Sequence, residues 1–104
     1  MPESPDQVLD RCEAILKYRF KDRGLLKRSL THSSVATTRL DSNERMEFLG
    51  DSILGMIVSE TLFEKFSDYP EGEMTRIKSS VVSRSHCAAM SYEVGLESCL
   101  FLGK

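Results

Sequence analysis

The stretch NERMEFLGDS, Asn43 to Ser52, decides how this chain is read. It runs on as ILGMIVSETLFEKF, apolar for the most part and without proline, which predicts one long helix capped by Asp41 or Ser42 and reaching about Phe66. Within that helix Glu44, Glu47 and Asp51 stand at i, i+3 and i+7, so 3.6 residues per turn places all three acids on one stripe. The same stripe continues as Leu54, Val58 and Leu62, while Met46, Leu49, Ile53, Met56 and Ile57 cover the opposite side. A helix that is apolar nearly all round belongs at the centre of a fold. Its acidic end must then lie in a cleft or against another surface.

Two readings of the acids stay open on the residues alone. The helix dipole favours acids in a first turn, and Asp41 with Glu44 has the spacing of a capping box. That explains Glu44 well, Glu47 less well, and Asp51, two turns in, poorly. Like charges at i, i+4 cost a few tenths of a kcal/mol when exposed, and more in a cleft unless a cation or a proton relieves them. Glu47 and Asp51 are such neighbours, close enough to share one divalent ion.

Around the long helix the chain reads as shorter helices joined by short loops. Ser4 and Pro5 open a helix through DQVLDRCEAILKY, with Val8, Leu9, Cys12, Ile15 and Leu16 on one face. Asp22 caps a second, RGLLKRSLTHSS, with Leu25, Leu26 and Leu30 inward. SVATTRLDS is a polar loop, and SDYPEGE breaks the long helix at Pro70. GEMTRIKSSVVS and SHCAAMSYEVGL follow as helices, with Gly95 as a stop near the end of the second. The chain closes on the apolar run Leu100, Phe101, Leu102. Termini are usually polar, so this ending predicts a domain that continues past Lys104.

Composition sets the outer bounds. A chain of 104 residues, 40% hydrophobic and 29% charged, fits one small globular domain. It carries neither a membrane-length apolar run nor a signal-peptide pattern in MPESPDQVLD, which predicts a cytoplasmic protein with no membrane partner. Cys12, Cys87 and Cys99 lack zinc-ligand spacing and read as reduced thiols. The net charge of −2 does not favour a simple phosphate-binding module. A nucleic-acid partner would require the acids to hold cations.

NERMEFLGDS resembles the signature of the ribonuclease III family, Asn-Glu-Arg-Leu-Glu-Phe-Leu-Gly-Asp followed by Ser or Ala, with Met46 the one departure. LLKRSLTHSS resembles the family's earlier helix, EGEMTRIKSSVVS the helix after the signature, and LFLGK the strand-like turn before its last helices. The resemblance covers nearly the whole chain in the right order. It implies an all-α endonuclease-domain bundle around the long helix over residues 1–104, without the last helices and without a double-stranded-RNA-binding domain.

What the resemblance implies residue by residue is as follows. Asp51 matches the active-site carboxylate and Glu47 a metal ligand, for Mg²⁺ or Mn²⁺ and no organic cofactor. Glu44 matches an acid of the cleft. Glu71 matches an acid at its rim, and a simple helix-start acid is an equally good reading. Phe48 matches the knob that enters the partner subunit of a homodimer, the other reading being a core residue of the same chain. The substrate is then double-stranded RNA, cut by phosphodiester hydrolysis to 5′-phosphate and 3′-hydroxyl ends with short 3′ overhangs, as in ribosomal RNA processing. Arg76, Lys78 and Arg84 suit phosphate and 2′-hydroxyl contacts, though a solvated helix face explains them nearly as well. Arg45 reads either as orienting the acids or as a surface arginine, and His32 as holding the loop that follows it. The family's second acidic pair, in a pattern like Asp-x-x-Glu-Ala-x-x-Gly, has no match here. The chain therefore presents half of a carboxylate set, which implies weak Mg²⁺ binding and poor or no cleavage alone. The alternative is a catalytically silent, dimerising RNA-binding or scaffold module of the same family.

Overall fold

The structure is a computed structural model describing residues 3–102, and it is all-helical. In chain order it holds α1 (Pro5–Leu16), α2 (Arg23–Ser29), a 3₁₀ turn (Arg39–Asp41), α3 (Glu44–Lys65), α4 (Glu71–Val81), α5 (Arg84–Val94) and a second 3₁₀ turn (Leu96–Cys99). The chain divides into two compact units: residues up to Glu47 together with those from Ser91 onward, and Phe48–Met90.

The first unit is built on well-signalled helix ends. Ser4 Oγ accepts the Gln7 N–H at 3.2 Å and Gln7 Oε1 accepts the Ser4 N–H at 2.9 Å, a complete capping box with Pro5 at the first helical position. Asp22 caps α2 by accepting the Leu25 N–H at 3.3 Å. Leu9, Cys12, Leu26, Leu30 and Cys99 are buried together, with Val8, Ile15, Phe20, Leu96 and Phe101 packed on them. Leu16 and Leu25, expected inward, are exposed. α2 is only two turns long, so Leu26 and Leu30 at i, i+4 share its inner face and Leu25 lies off it.

α2 stops at Ser29 because the residues beyond it are drawn into another pairing. Thr31 forms an isolated parallel bridge with Phe101. Phe101 donates its N–H to the Leu30 carbonyl at 2.9 Å, and its own carbonyl accepts the His32 N–H at 2.9 Å. Only part of the apolar ending packs: Phe101 turns inward, while Leu100 and Leu102 stay exposed. Gly103 and Lys104, the end of the LFLGK stretch, lie outside the described residues. The start of α3 is tied to the same segment. Asn43 donates its N–H to the Thr31 carbonyl at 2.9 Å and its side-chain amide to the Ser29 carbonyl at 3.2 Å. Of the two expected caps, buried Ser42 accepts the Glu44 N–H at 3.3 Å. Asp41 instead lies in the 3₁₀ turn and accepts the Thr38 hydroxyl at 3.0 Å, so no Asp41–Glu44 capping box forms.

The three cysteines are free thiols, with Cys12 and Cys99 fully buried and Cys87 half-buried. Burial, and then the neighbouring Cys99, push the Cys12 thiol up to about 11. A raised thiol stays neutral in the fold, so its stabilising contribution is complete below the ordinary thiol range and is lost as pH rises toward 11. At pH 8 the native protein is expected to show one fast thiol toward a disulfide reagent, Cys87, with the other two reacting only on unfolding. Three fast thiols in native buffer would mean this core is open.

In the second unit Phe48–Lys65 of α3 is followed by α4 and by α5 as far as Met90. Pro70 stands at the α4 N-cap, where its carbonyl accepts the Glu73 and Met74 N–H groups at 3.1 Å each. The Phe66 and Tyr69 rings meet at 5.0 Å across the break. Cover on α3 is one-sided. Leu54 and Val58 are half-buried and Leu62 is buried, whereas Leu49, Ile53, Met56, Ile57 and Phe63 are exposed.

Candidate functional site

The predicted acids occupy one helix. Glu44 and Glu47 belong to the first turns of α3, and Asp51 follows Glu47 by four residues on the same helix. All three are exposed. Asp51 makes no ion pair or side-chain hydrogen bond among the described residues, and Arg45, the candidate orienting group, makes no ion pair there either. Arg45 is thus a surface arginine. Backbone anchoring fixes where the stripe begins: the Glu47 N–H donates to the Asn43 carbonyl at 2.8 Å, and Asn43 is itself pinned to residues 29–31. Among the described residues, no group of three or more His, Cys, Asp or Glu converges as a ready metal cage.

Glu71 opens α4 as an exposed first-turn acid and also lines a groove of about 470 Å³ within the second unit. Leu62, Met56, Phe63 and Met74 form its apolar walls, and Lys78 its basic one. Lys78 lies beside Gly55 of α3. A Cβ there would stand 3.5 Å from Lys78 Cε and 3.7 Å from Nζ, so the lysine stem lies along the α3 backbone one turn past Asp51.

The three candidate RNA-binding cations differ in setting. Lys78 is half-buried and without an ion pair among the described residues. Arg76 is exposed but paired with Glu73 one turn back, an interaction that raises the guanidinium and lowers the carboxyl from their ordinary values through the hydrogen bond first and charge second. Arg84 is exposed at the start of α5. Phe48 is 80% exposed, unusual for a phenylalanine in the middle of a helical sequence. His32 accepts the Ser34 N–H at Nδ1, at 3.1 Å, the loop-holding role expected of it. Sequence reasoning missed Asn43 as an anchor and Gly55 as the neighbour of Lys78, both set by partners distant in sequence.

Comparison with known proteins gives this arrangement a context. Residues 22–104 match the family model described as ribonuclease-III-like. Ribonuclease 3 of Rhodopirellula baltica is 51% identical over 96 residues, covering 92% of this chain and 36% of the relative. Ribonuclease 3 of Oleidesulfovibrio alaskensis is 41% identical over 100 residues, covering 93% and 44%. Two solved structures of the nuclease domain of ribonuclease III from Campylobacter jejuni superpose with TM-scores of 0.84 and 0.81, each at 34% identity. They cover 91% and 90% of this chain, which spans 65% and 63% of theirs. The first describes flexibility in a region involved in dimer formation of that protein. The chain thus spans less than half the length of these curated relatives.

Proposed function

Because the chain belongs to the ribonuclease III family, we propose that it serves a metal-dependent endoribonuclease that hydrolyses double-stranded RNA, leaving 5′-phosphate and 3′-hydroxyl ends with short 3′ overhangs. The observation that carries the reading is the pair Glu47 and Asp51, one helical turn apart at exposed positions of α3, inside a decapeptide that departs from the family signature only at Met46. On this reading residues 1–104 are part of the nuclease domain.

The donor set suits the ion. Mg²⁺ prefers oxygen ligands and is commonly held by one or two carboxylates, keeping waters and substrate phosphates for the rest of its shell. Glu47 and Asp51 would hold it, or Mn²⁺ in its place. When bound, such an ion makes water nucleophilic and neutralises the leaving oxygen. The chain does the rest by placement. Asn43 fixes the start of the acid stripe, Glu44 extends it, and Glu71 is a further acid for the substrate path. Lys78, lying beside Gly55, and Arg84 contact phosphates or 2′-hydroxyls, with Arg76 joining once it leaves Glu73. Phe48 enters a second copy of the chain, and a twofold axis then supplies one acid stripe per RNA strand. Ribosomal RNA processing in the cytoplasm is the setting that fits this activity.

The test is metal removal. A long perfect RNA duplex incubated in Mg²⁺ with a protein carrying this chain within a whole nuclease domain is expected to shorten to fragments bearing 5′-phosphates. Cutting should stop with EDTA and return with excess Mg²⁺ or Mn²⁺. Cleavage that persists in EDTA would remove the acids from the chemistry, and binding without cleavage would leave the silent module as the better reading.

A further inference from the structure

The turn between α1 and α2 reads Lys17-Tyr18-Arg19-Phe20-Lys21, three cations alternating with two aromatics in a chain of net charge −2. It belongs wholly to the first unit and borders a cleft of about 460 Å³ lined by Asp10, Glu13, Ala14, Lys17, Tyr18 and Arg19. The two acids of that cleft are already engaged. Arg23 bonds Asp10 at 2.8 Å and Glu13 at 2.6 Å, and the other Glu13 oxygen accepts the Phe20 N–H at 2.7 Å. Lys17, Arg19 and Lys21 are all exposed and make no ion pair among the described residues. The cleft rim is therefore cationic in spite of its acids.

Its shape is set by the backbone. Lys17 closes α1 in the left-handed region, at φ 56°, a conformation that costs roughly 1 kcal/mol or more outside glycine. Its N–H and that of Tyr18 both turn back to the Glu13 carbonyl, which holds the turn against the helix end. Tyr18 stands edge-on to Phe20, with centroids 4.8 Å apart and planes at 78°, and remains 57% exposed. Phe20 is the half-buried foot and Tyr18 the open ring.

We infer that this turn is a second RNA-contact site, taking single-stranded RNA rather than duplex. Unpaired cations beside an exposed ring fit a strand whose phosphates follow the charges and whose unstacked base lies on the aromatic face. A duplex keeps its base faces stacked and offers the ring nothing. An acidic peptide would use the cations and leave the tyrosine idle. The inference deepens the ribonuclease reading and rests on it for the ligand being RNA: the strand would be an unpaired flank or loop of the processed transcript.

The test is binding of a labelled oligouridylate, followed by anisotropy in EDTA so that metal held by Glu47 and Asp51 contributes nothing. Three phosphate contacts on a single strand correspond to a log–log salt slope of about 2. Between 50 and 200 mM KCl the unmodified protein is then expected to lose roughly 15- to 20-fold more affinity than the K17Q/R19Q/K21Q variant. Tyr18→Leu, which keeps the apolar contact with Phe20, should weaken binding roughly five- to a hundredfold with the slope unchanged. Thermal melts matching the unmodified protein establish that both variants are folded. Absence of oligouridylate binding, an unchanged slope in the triple variant, or unchanged affinity in Tyr18→Leu would each overturn the inference. None of these outcomes bears on metal-dependent duplex cleavage, which tests the nuclease reading separately.

Discussion

Within a whole nuclease domain, Asp51→Asn is expected to lower the rate of duplex RNA cleavage in Mg²⁺ by about a thousandfold or more, with no comparable loss of stability. Asparagine keeps the size and shape of the side chain and removes its charge, so a hard divalent ion loses one of its two protein carboxylates. Charge stabilisation by a bound metal is worth several kcal/mol in the transition state, and each 1.36 kcal/mol is about tenfold in rate. Stability should hold because Asp51 is exposed and makes no ion pair among the described residues, and such surface changes usually stay within about 0.5 kcal/mol. Relief of its repulsion with Glu47 should add about the few tenths of a kcal/mol of stability typical of like charges at i, i+4. Glu47→Gln should behave alike. Glu44→Gln, one turn nearer the anchored end, should lose far less if it lines the cleft without ligating. Single-turnover cleavage rates with thermal melts on the same preparations decide it. Equal losses for all three would mean a general electrostatic effect, and full activity in Asp51→Asn would end the ligand assignment.

How far the sequence alone reaches depends on the range of the contacts involved. Ser4 with Pro5, Asp22 and Gly95 act within one turn of their own helix ends, and each stands where local chemistry places it. The acid stripe is legible for the same reason, since helical periodicity alone aligns 44, 47 and 51. What local rules cannot give is pairing across long stretches of chain. Phe101 meets Thr31 through backbone bonds between residues 70 apart in number, and that pairing ends α2 earlier than its apolar pattern suggests. Asn43 belongs to the same junction. Within the decapeptide it looks like one more polar residue before a helix, yet both its backbone and its amide are bound to residues 29–31. Gly55 reads as a weak helix position, and its place beside Lys78 appears only in the structure. Apolar count is likewise a poor guide to cover: α3 carries apolar residues on both sides, and packing reaches one of them.

The core of the first unit gives the second large effect. Leu26→Ala is expected to destabilise the protein by about 2–5 kcal/mol, whereas Leu25→Ala, its neighbour, should change stability by about 0.5 kcal/mol or less. The two residues share composition, helix and chain position and differ in direction: Leu26 is 3% exposed and Leu25 47%. Leu26 packs among Leu9, Cys12, Leu30 and Cys99, so truncation removes transfer energy and leaves a cavity that helices pinned at both ends cannot fill. A domain of this size has roughly 5–15 kcal/mol in total, so the loss is a large share of it. At about 4–8 °C per kcal/mol, the melting temperature should fall by ten degrees or more for Leu26→Ala and by a few degrees at most for Leu25→Ala. The burst of thiol reactivity at Cys12 and Cys99 should move to lower temperature together with the melt, since both sulfurs line the same cluster. Equal melting temperatures for the two variants would mean that α2 presents a different face to this core.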